Sequence, residues 1–306
     1  MTIAIAVVCA MLVGTGFVLQ QHAAEQEPQS HFLRFRLIVD LLHRRRWVAG
    51  IAIMVIGQVL SIWVVGHLVL SVYEPLMATN LIFALILAVP LSGQRLGRTE
   101  LLGTLILAVG VTILSVSRIV NTREVRFGSF AYWPAAAAIA AIALCFVHAG
   151  RRRSGQQRAT LTAVGSGLIF GISDALTRRS DQIVDTHHFA ALLTTWPAYS
   201  LVGASLIAMW LMQSSFNAAP LRASLPAITA AQPVAGIALG VVVFGDVIRD
   251  SPWMIALQIA GLVMLVIGVL IVARGTTLGS LRPGQAIRAH TRLAPPPPRA
   301  TETAPP

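Results

Sequence analysis

The sequence contains no lysine, only two cysteines and few acidic residues. All 23 basic side chains are arginines, which excludes Schiff-base chemistry and phosphate-binding loops that depend on lysine. Cys9 and Cys145 lie in apolar segments, where a thiol behaves as a small hydrophobic group, so no disulfide framework or cysteine-based metal site is predicted. Charged residues make up 11% of the chain, too few to cover a soluble protein of this size.

Apolar residues are abundant: they form 56% of the 306 residues and are gathered in long runs. A net charge of +11 would suit a nucleic-acid partner in a soluble protein, but here the arginines lie in short gaps between the runs. This distribution favours a lipid bilayer as partner and argues against nucleic acid. The sequence shows no nucleophile–base pair, metal-ligand spacing or cofactor motif, so we expect neither an enzyme nor a bound cofactor.

Nine apolar runs are each long enough to cross a hydrocarbon core of roughly 30 Å as a helix. They are approximately Thr2–Leu19, Trp47–Leu70, Val72–Leu91, Leu101–Val116, Phe130–Val147, Thr160–Thr177, Phe189–Met212, Leu225–Phe244 and Trp253–Ala273. The sequence therefore predicts an all-α integral membrane protein with about nine transmembrane helices. The first run lacks a basic segment before it and a cleavage signal after it, so we expect it to remain as the first membrane helix.

The arginines indicate how the chain is oriented in the membrane. Loops after the odd-numbered runs hold 17 arginines, and the loops on the opposite side hold 6. Because cytoplasmic loops carry the excess of positive charge, we expect the N-terminus outside and the C-terminus in the cytoplasm. The expected location is a bacterial plasma membrane.

Two segments outside the apolar runs have their own patterns. Between Ser30 and Arg46, apolar residues alternate with arginines, which predicts a helix in the membrane interface with Ser30 as its N-cap. A solvated basic loop is the alternative. Residues 276–306 are polar and rich in proline, so we expect a disordered cytoplasmic tail.

The chain is similar to itself at offsets of 152 to 158 residues. The matched positions are 14–19 with 171–176, 80–96 with 232–248, and Gly103 and Gly110 with Gly261 and Gly268. Because five helices separate the start of one unit from the start of the next, the two copies must enter the membrane from opposite sides. We therefore expect a first four-helix repeat over 1–120, a connecting helix over 121–150, and an inverted second repeat over 151–275.

Short motifs in this layout resemble a known transporter superfamily. The exit motif Gly93–Leu96, followed by Gly103 and Gly110, is similar to that of the drug/metabolite transporter (DMT, EamA-like) superfamily. Three further stretches resemble its branch of NIPA-like magnesium transporters: Gly14–Gln21, Trp47–Gly50 and Glu74–Leu76. The resemblance covers residues 10–275. It implies a permease whose two inverted halves give alternating access to a solute.

Two amides separate this chain from the magnesium-transporter pattern. Gln58 and Gln94 stand at positions where that pattern carries carboxylates. Mg²⁺ is a hard cation that is held through carboxylates and retained water. These amides therefore argue against Mg²⁺ as the solute, although they leave the resemblance in fold unchanged.

Polar and aromatic side chains within apolar runs are candidates for a solute pathway, because polar groups are costly in lipid. The candidates are Gln20, Gln58, Trp63, Tyr73, Glu74, Asn80, Asp174, Thr177, Trp196 and Gln232. Asn80 and Gln232 are equivalent under the repeat. Two amides that face each other across the halves could bind a polar solute from both sides.

The two acidic candidates each allow two interpretations. Glu74 precedes Pro75 at the start of the third run, where it could bind a cation or proton beside a broken helix, or only complement the helix dipole. Asp174 could be a proton-coupled acid, or the partner of Arg178 one helical turn later.

The sequence thus predicts a membrane permease for a small polar solute or metabolite, with coupling to protons or cations. A NIPA-like Mg²⁺ carrier is the alternative within transport. A membrane scaffold that moves no solute is the alternative outside it. The sequence indicates no oligomeric state.

Overall fold

The computed structural model describes residues 2–65, 67, 76–92, 97–117, 129–187, 189–244 and 252–279. All regular structure in these residues is helical. The α-helices are α1 (Thr2–Glu25), α2 (Phe35–Leu42), α3 (Arg45–Val65), α4 (Asn80–Ser92), α5 (Arg98–Ser117), α6 (Ser129–Arg151), α7 (Gly155–His187), α8 (Trp196–Ala218), α9 (Leu221–Phe244) and α10 (Pro252–Gly279). Short 3₁₀ turns cover Gln29–His31 and Phe189–Thr194.

Six helices in the described residues are long and apolar enough to cross a membrane: α1, α3, α6, α7, α9 and α10. The other predicted runs fall on α8 and on the shorter apolar helices α4 and α5. The predicted class, an all-α integral membrane protein, is confirmed. The count of nine spans and the inverted relation of the halves stay predictions.

Among the described residues, the helices pack around two large buried apolar clusters, beside two smaller ones. In one cluster, Phe216 of α8 is fully buried against α1, where its ring meets that of Phe17 edge-on at 6.5 Å between centroids. The other cluster joins α6, α7, α8 and α9. Large apolar side chains such as Ile62, Leu206 and Val263 are exposed on the outside of the bundle, as expected where lipid is the solvent.

Helices α5 and α10 approach each other through paired glycines. A β-carbon on Gly110 would lie 2.9 Å from the carbonyl oxygen of Gly261, and one on Gly268 would lie 2.8 Å from that of Gly103. The lower-numbered glycine of α5 thus meets the higher-numbered one of α10, so the two helices run antiparallel. Small residues permit this close packing, which side chains of any size would prevent.

A second kind of glycine contact occurs twice. A β-carbon on Gly14 of α1 would lie 2.7 Å from the carbonyl oxygen of Asn80 on α4. One on Gly171 of α7 would lie 2.6 Å from the carbonyl oxygen of Gln232 on α9. Each glycine also lies against the amide nitrogen four residues further along the partner helix, at 2.9 and 3.0 Å. Helix α1 therefore packs on α4 as α7 packs on α9.

The segment between α1 and α3 differs from the prediction. Ser30 is not an N-cap, because it lies inside the 3₁₀ turn Gln29–His31. Leu33 has a φ of 54°, a left-handed conformation that ends the first helical turn before α2 begins. Arg34, in an extended conformation, precedes α2 and makes no side-chain cap. The expected single helix is therefore confined to Phe35–Leu42.

Helix α2 has apolar side chains on two faces. Leu37 and Leu41 are fully buried in the cluster that also contains Phe216. Phe35 and Leu42 are exposed, Phe35 by 74%. A solvated loop would not bury leucines, so that alternative is wrong for Phe35–Leu42. The location of this helix in the membrane interface stays a prediction.

Candidate functional site

Polar side chains are buried where the C-terminal ends of α1 and α8 meet, an interface that we call the seam. Gln20 and Gln213 are both fully buried, and Gln213 Nε2 donates a hydrogen bond of 2.7 Å to Gln20 Oε1. Gln20 Nε2 in turn lies 3.6 Å from Met54 Sδ on α3. Gln20 is one of the predicted pathway residues, and the structure brings it into contact with α8.

Asn217 extends the seam beyond the last turn of α1. Its Nδ2 donates to the carbonyl oxygens of Ala24 and Glu27 at 2.8 and 2.9 Å. The carbonyl of Asn217 accepts a hydrogen bond of 2.5 Å from Gln29 Nε2. The last carbonyls of a helix have no partner within the helix, so these bonds complete the end of α1 and join it to α8.

Two acceptors in the seam lack donors. Gln213 Oε1 and Asn217 Oδ1 are buried, and neither has a hydrogen-bond partner among the described residues. They lie one helical turn apart on α8 and so share a face. Buried polar groups are nearly always paired. These oxygens are the atoms that N–H or O–H donors of a solute or of water would satisfy.

A second polar group lies on α7 and α9. Gln232 Nε2 donates a hydrogen bond of 2.9 Å to Asp174 Oδ2, and the Asp174 side chain is exposed. Thr177, one turn later, is also exposed and donates to the carbonyl of Ser173. The structure therefore brings together two of the predicted pathway residues, Asp174 and Gln232, and places Thr177 one turn further along α7.

Arg178 follows this group on α7. Its guanidinium lies 4.4 Å over the ring of Phe244, a cation–π contact. The ion pair between Asp174 and Arg178 stays a prediction.

The aromatic candidates lie at the ends of helices. The Trp196 ring contacts the rings of Trp133 and Tyr132, with centroids 4.8 and 5.4 Å apart. Trp63 is half-exposed and stacks on His67 at 4.2 Å. These contacts are of the kind that aromatic side chains make at the edge of a membrane bundle.

The remaining candidates in the first half are less connected. Gln58 is exposed on α3, and Ser61 Oγ donates to its carbonyl oxygen at 2.8 Å. Asn80 is partly buried at the start of α4. The arrangement in which the amides of Asn80 and Gln232 face each other stays a prediction. Tyr73, Glu74 and Gln94, with the hairpin between the second and third runs, lie outside the described residues.

Sequence reasoning missed the α8 side of the seam. The seventh apolar run was predicted to end at Met212, because the next five residues include Gln213, two serines and Asn217. The helix continues to Ala218, and this polar turn is fully buried. A run of polar residues directly after an apolar helix, without glycine or proline to end it, was the available signal.

Comparison with known proteins finds a distant relative. The chain is 26% identical over 262 residues to an uncharacterized protein of Corynebacterium glutamicum, in an alignment that covers 85% of this chain and 91% of that protein. No protein-family model matches the sequence. No solved structure matches it either. The alignment therefore covers most of the length of both chains.

Proposed function

We propose that this chain is a permease that moves a small polar solute by alternating access between two inverted halves. In this proposal α1 to α5 form the first half, α7 to α10 form the second, and α6 connects them. We also propose that the chain shares the fold of the drug/metabolite transporter superfamily, which its motifs resemble. Inverted repeats with a solute site between them are a recurring architecture of secondary transporters.

The observation that carries the proposal is the glycine contact that occurs twice. The sequence offsets pair Gly14 with Gly171 and Asn80 with Gln232, and each glycine rests on the partner from its own half. Unrelated segments have no reason to repeat such a contact at positions that the sequence repeat also pairs. A duplicated unit that folds the same way in both halves repeats it necessarily.

The glycines of α5 and α10 give further support. The repeat pairs Gly103 with Gly261 and Gly110 with Gly268. Exchanging the two halves turns the contact of Gly103 with Gly268 into that of Gly261 with Gly110, and both contacts exist. An interface that maps onto itself in this way is what a two-fold axis between α5 and α10 requires.

The two ends of the bundle differ, as alternating access needs. The seam joins α1 to α8, and under the repeat its counterpart would join α7 to α3. In the described parts of the chain, α3 and α7 lack an interface of similar extent. With the orientation expected from the arginines, the cytoplasmic end is closed and the outer end, with Asp174 and Gln232, is accessible.

The available groups favour a solute rich in hydrogen-bond donors. Asp174 offers a carboxylate, while Gln213 and Asn217 offer amide oxygens without donors. Amines and amino acids carry N–H donors that such acceptors bind. An exposed acid within a membrane helix can also take up and release a proton, which would couple transport to a proton gradient.

The proposal is tested by solute uptake into proteoliposomes that contain the purified chain. Radiolabelled amines, amino acids and Mg²⁺ are offered in turn, with protein-free liposomes as control. We expect uptake of an organic solute and no uptake of Mg²⁺. Uptake of Mg²⁺ alone would favour the magnesium carrier, and no flux of any compound would favour a scaffold.

A second experiment measures how accessible the outer and cytoplasmic ends of the bundle are to a thiol reagent. Thr177→Cys and Ser214→Cys are made separately in a chain with Cys9→Ala and Cys145→Ser, and each is treated with a membrane-impermeant maleimide from either side. We expect Thr177→Cys to react from outside. Ser214→Cys should react only from the cytoplasmic side and only with solute present, because the seam must open. A seam that stays closed with every transported solute would contradict alternating access.

A further inference from the structure

The segment between α1 and α3 brings together three side chains of metal-binding type. Glu27, His31 and Asp40 each offer one ligand atom, and these atoms lie within 4.8 Å of one another. Glu27 is only 7% exposed, and the other two are partly buried. An imidazole and two carboxylates therefore meet in a chain that has few acidic residues.

The contact between His31 and Asp40 is not a hydrogen bond. His31 Nδ1 lies 3.0 Å from Asp40 Oδ2, yet this nitrogen is buried and has no hydrogen-bond partner among the described residues. Two ligands that are each about 2.1 Å from a tetrahedral zinc ion lie about 3.4 Å apart. The distance between this nitrogen and this oxygen is therefore close to the distance between two ligands of one ion.

The backbone that carries these ligands is fixed by the rest of the fold. The carbonyl of Glu27 accepts from Asn217, and Gln29, in the same 3₁₀ turn as His31, donates to the carbonyl of Asn217. Asp40 belongs to α2, which buries Leu37 beside it. The three ligands therefore need only side-chain rotations to converge, which lowers the entropic cost of binding an ion.

Arginines compete for the same carboxylates. Arg44 Nε lies 2.6 Å from Glu27 Oε1, and Arg36 Nε lies 3.8 Å from Asp40 Oδ2. Arg36 is mostly exposed, and Arg44 is half-exposed. Both can turn into solvent at little cost, so a doubly charged ion could replace Arg44 at Glu27.

We propose that Glu27, His31 and Asp40 bind a divalent cation of the Zn²⁺, Co²⁺ or Mn²⁺ class, and that Arg44 is the competitor of this ion. Imidazole with carboxylates suits these cations, whereas Mg²⁺ prefers oxygen ligands alone. The site fastens α2 to the end of α1, next to the seam. It is independent of the solute that the permease moves.

The test is a titration of the purified full-length chain, without a histidine tag, with Zn²⁺ in competition with a chromophoric chelator. Excess Mg²⁺ is present throughout. We expect one Zn²⁺ per chain, and His31→Ala should weaken binding at least about tenfold because a ligand is lost. His43→Ala is the matched control: His43 lies in the same segment, is exposed, and its Nδ1 bonds the carbonyl of Val39.

Two further variants separate a metal site from a purely structural ion pair. Arg44→Gln should tighten Zn²⁺ binding by about two- to fivefold, since it removes a partly exposed competing charge. Asp40→Asn keeps the shape of the side chain and should also weaken Zn²⁺ binding. It is the variant to use if His31→Ala fails to fold. Absence of Zn²⁺ binding in both the parent chain and Arg44→Gln would overturn the proposal. So would binding that neither His31→Ala nor Asp40→Asn changes.

Discussion

Equivalent places in the two proposed halves have opposite environments. The offset that pairs Gly14 with Gly171 also pairs Gln20 with Thr177. Gln20 is fully buried and bonded to α8, whereas Thr177 is exposed and donates to the carbonyl of Ser173 on its own helix. The glycines of both halves pack alike, while the polar side chains one turn or two later do not.

This difference indicates that the glycines and the polar side chains near the helix ends have different roles. Backbone contacts at glycines fix how helices pair within a half, so they are the same in both. In the proposed permease, side chains near the helix ends determine whether the two halves meet or stay apart, so they would differ between the ends in any one conformation. Substitutions at paired positions of the two halves, compared by their effects on stability and transport, can test this interpretation.

The largest expected effect on stability comes from Asn217→Leu at the seam. The change removes two hydrogen bonds and leaves the carbonyl of Glu27 without a donor, while the carbonyl of Ala24 keeps the backbone N–H of Glu27; together these losses should lower the free energy of unfolding by about 2–4 kcal/mol. Gln232→Leu, at the exposed group on α9, should change stability by less than about 1 kcal/mol. Thermal unfolding of the detergent-solubilised variants measures both. Equal losses would remove the distinction between the two ends.

Gly14→Ala and Gly171→Ala should have effects of similar size. A β-carbon at either position would lie closer than 3 Å to backbone atoms, so each change should cost about 1–3 kcal/mol through overpacking. Gly203→Ala on α8 is the control. A β-carbon there meets nothing within 4 Å, and the change should be neutral or stabilising by up to about 1 kcal/mol. If only one of the paired glycines is sensitive, the halves do not pack alike.

The hydrogen bond between Gln20 and Gln213 can be measured with a double-mutant cycle. Each single change to Leu leaves one buried amide without its partner and should cost about 1–3 kcal/mol. The double variant should cost less than the sum, because neither amide is left behind. Additive losses in unfolding free energy would show that the two amides do not interact.

Asp174→Asn should have the smallest effect on stability and a large effect on transport. The amide oxygen of asparagine can still accept the hydrogen bond from Gln232, so expression and melting temperature should stay unchanged. Loss of the carboxylate should impair uptake and remove its dependence on a proton gradient. Normal flux with an unchanged response to pH would favour a structural role for Asp174.

The binding role predicted for Asn80 and Gln232 is tested separately. Changing either residue to Leu should lower the affinity for the transported solute.

The helical bundle was predictable because hydropathy and glycine spacing are local patterns. Each predicted apolar run falls on a helix over most of the part that the structure describes, and Gly103, Gly110, Gly261 and Gly268 lie in close helix contacts. Lipid solvation selects for apolar runs directly, and close packing selects for small residues. Because both constraints act on single positions, they can be recognised in the sequence.

The polar contacts were less predictable because they join distant residues. Gln20 was singled out for its type, but nothing local indicates that Gln213 is its partner 193 residues later. The same holds for Asp174 and Gln232, 58 residues apart. The N-cap at Ser30 was wrong because the left-handed conformation of Leu33 has no sequence signal: leucine rarely adopts it.

The seam has an electrical consequence. It is made of neutral amides and hydroxyls, and the nearby pair of Arg44 with Glu27 has no net charge. Moving one elementary charge through a membrane potential of 100 mV changes the free energy by about 2.3 kcal/mol. A gate built from neutral groups opens without this work. The voltage across the membrane would therefore act on the proposed carrier through Asp174 or a charged solute, while the opening of the seam would move no net charge of its own amides and hydroxyls.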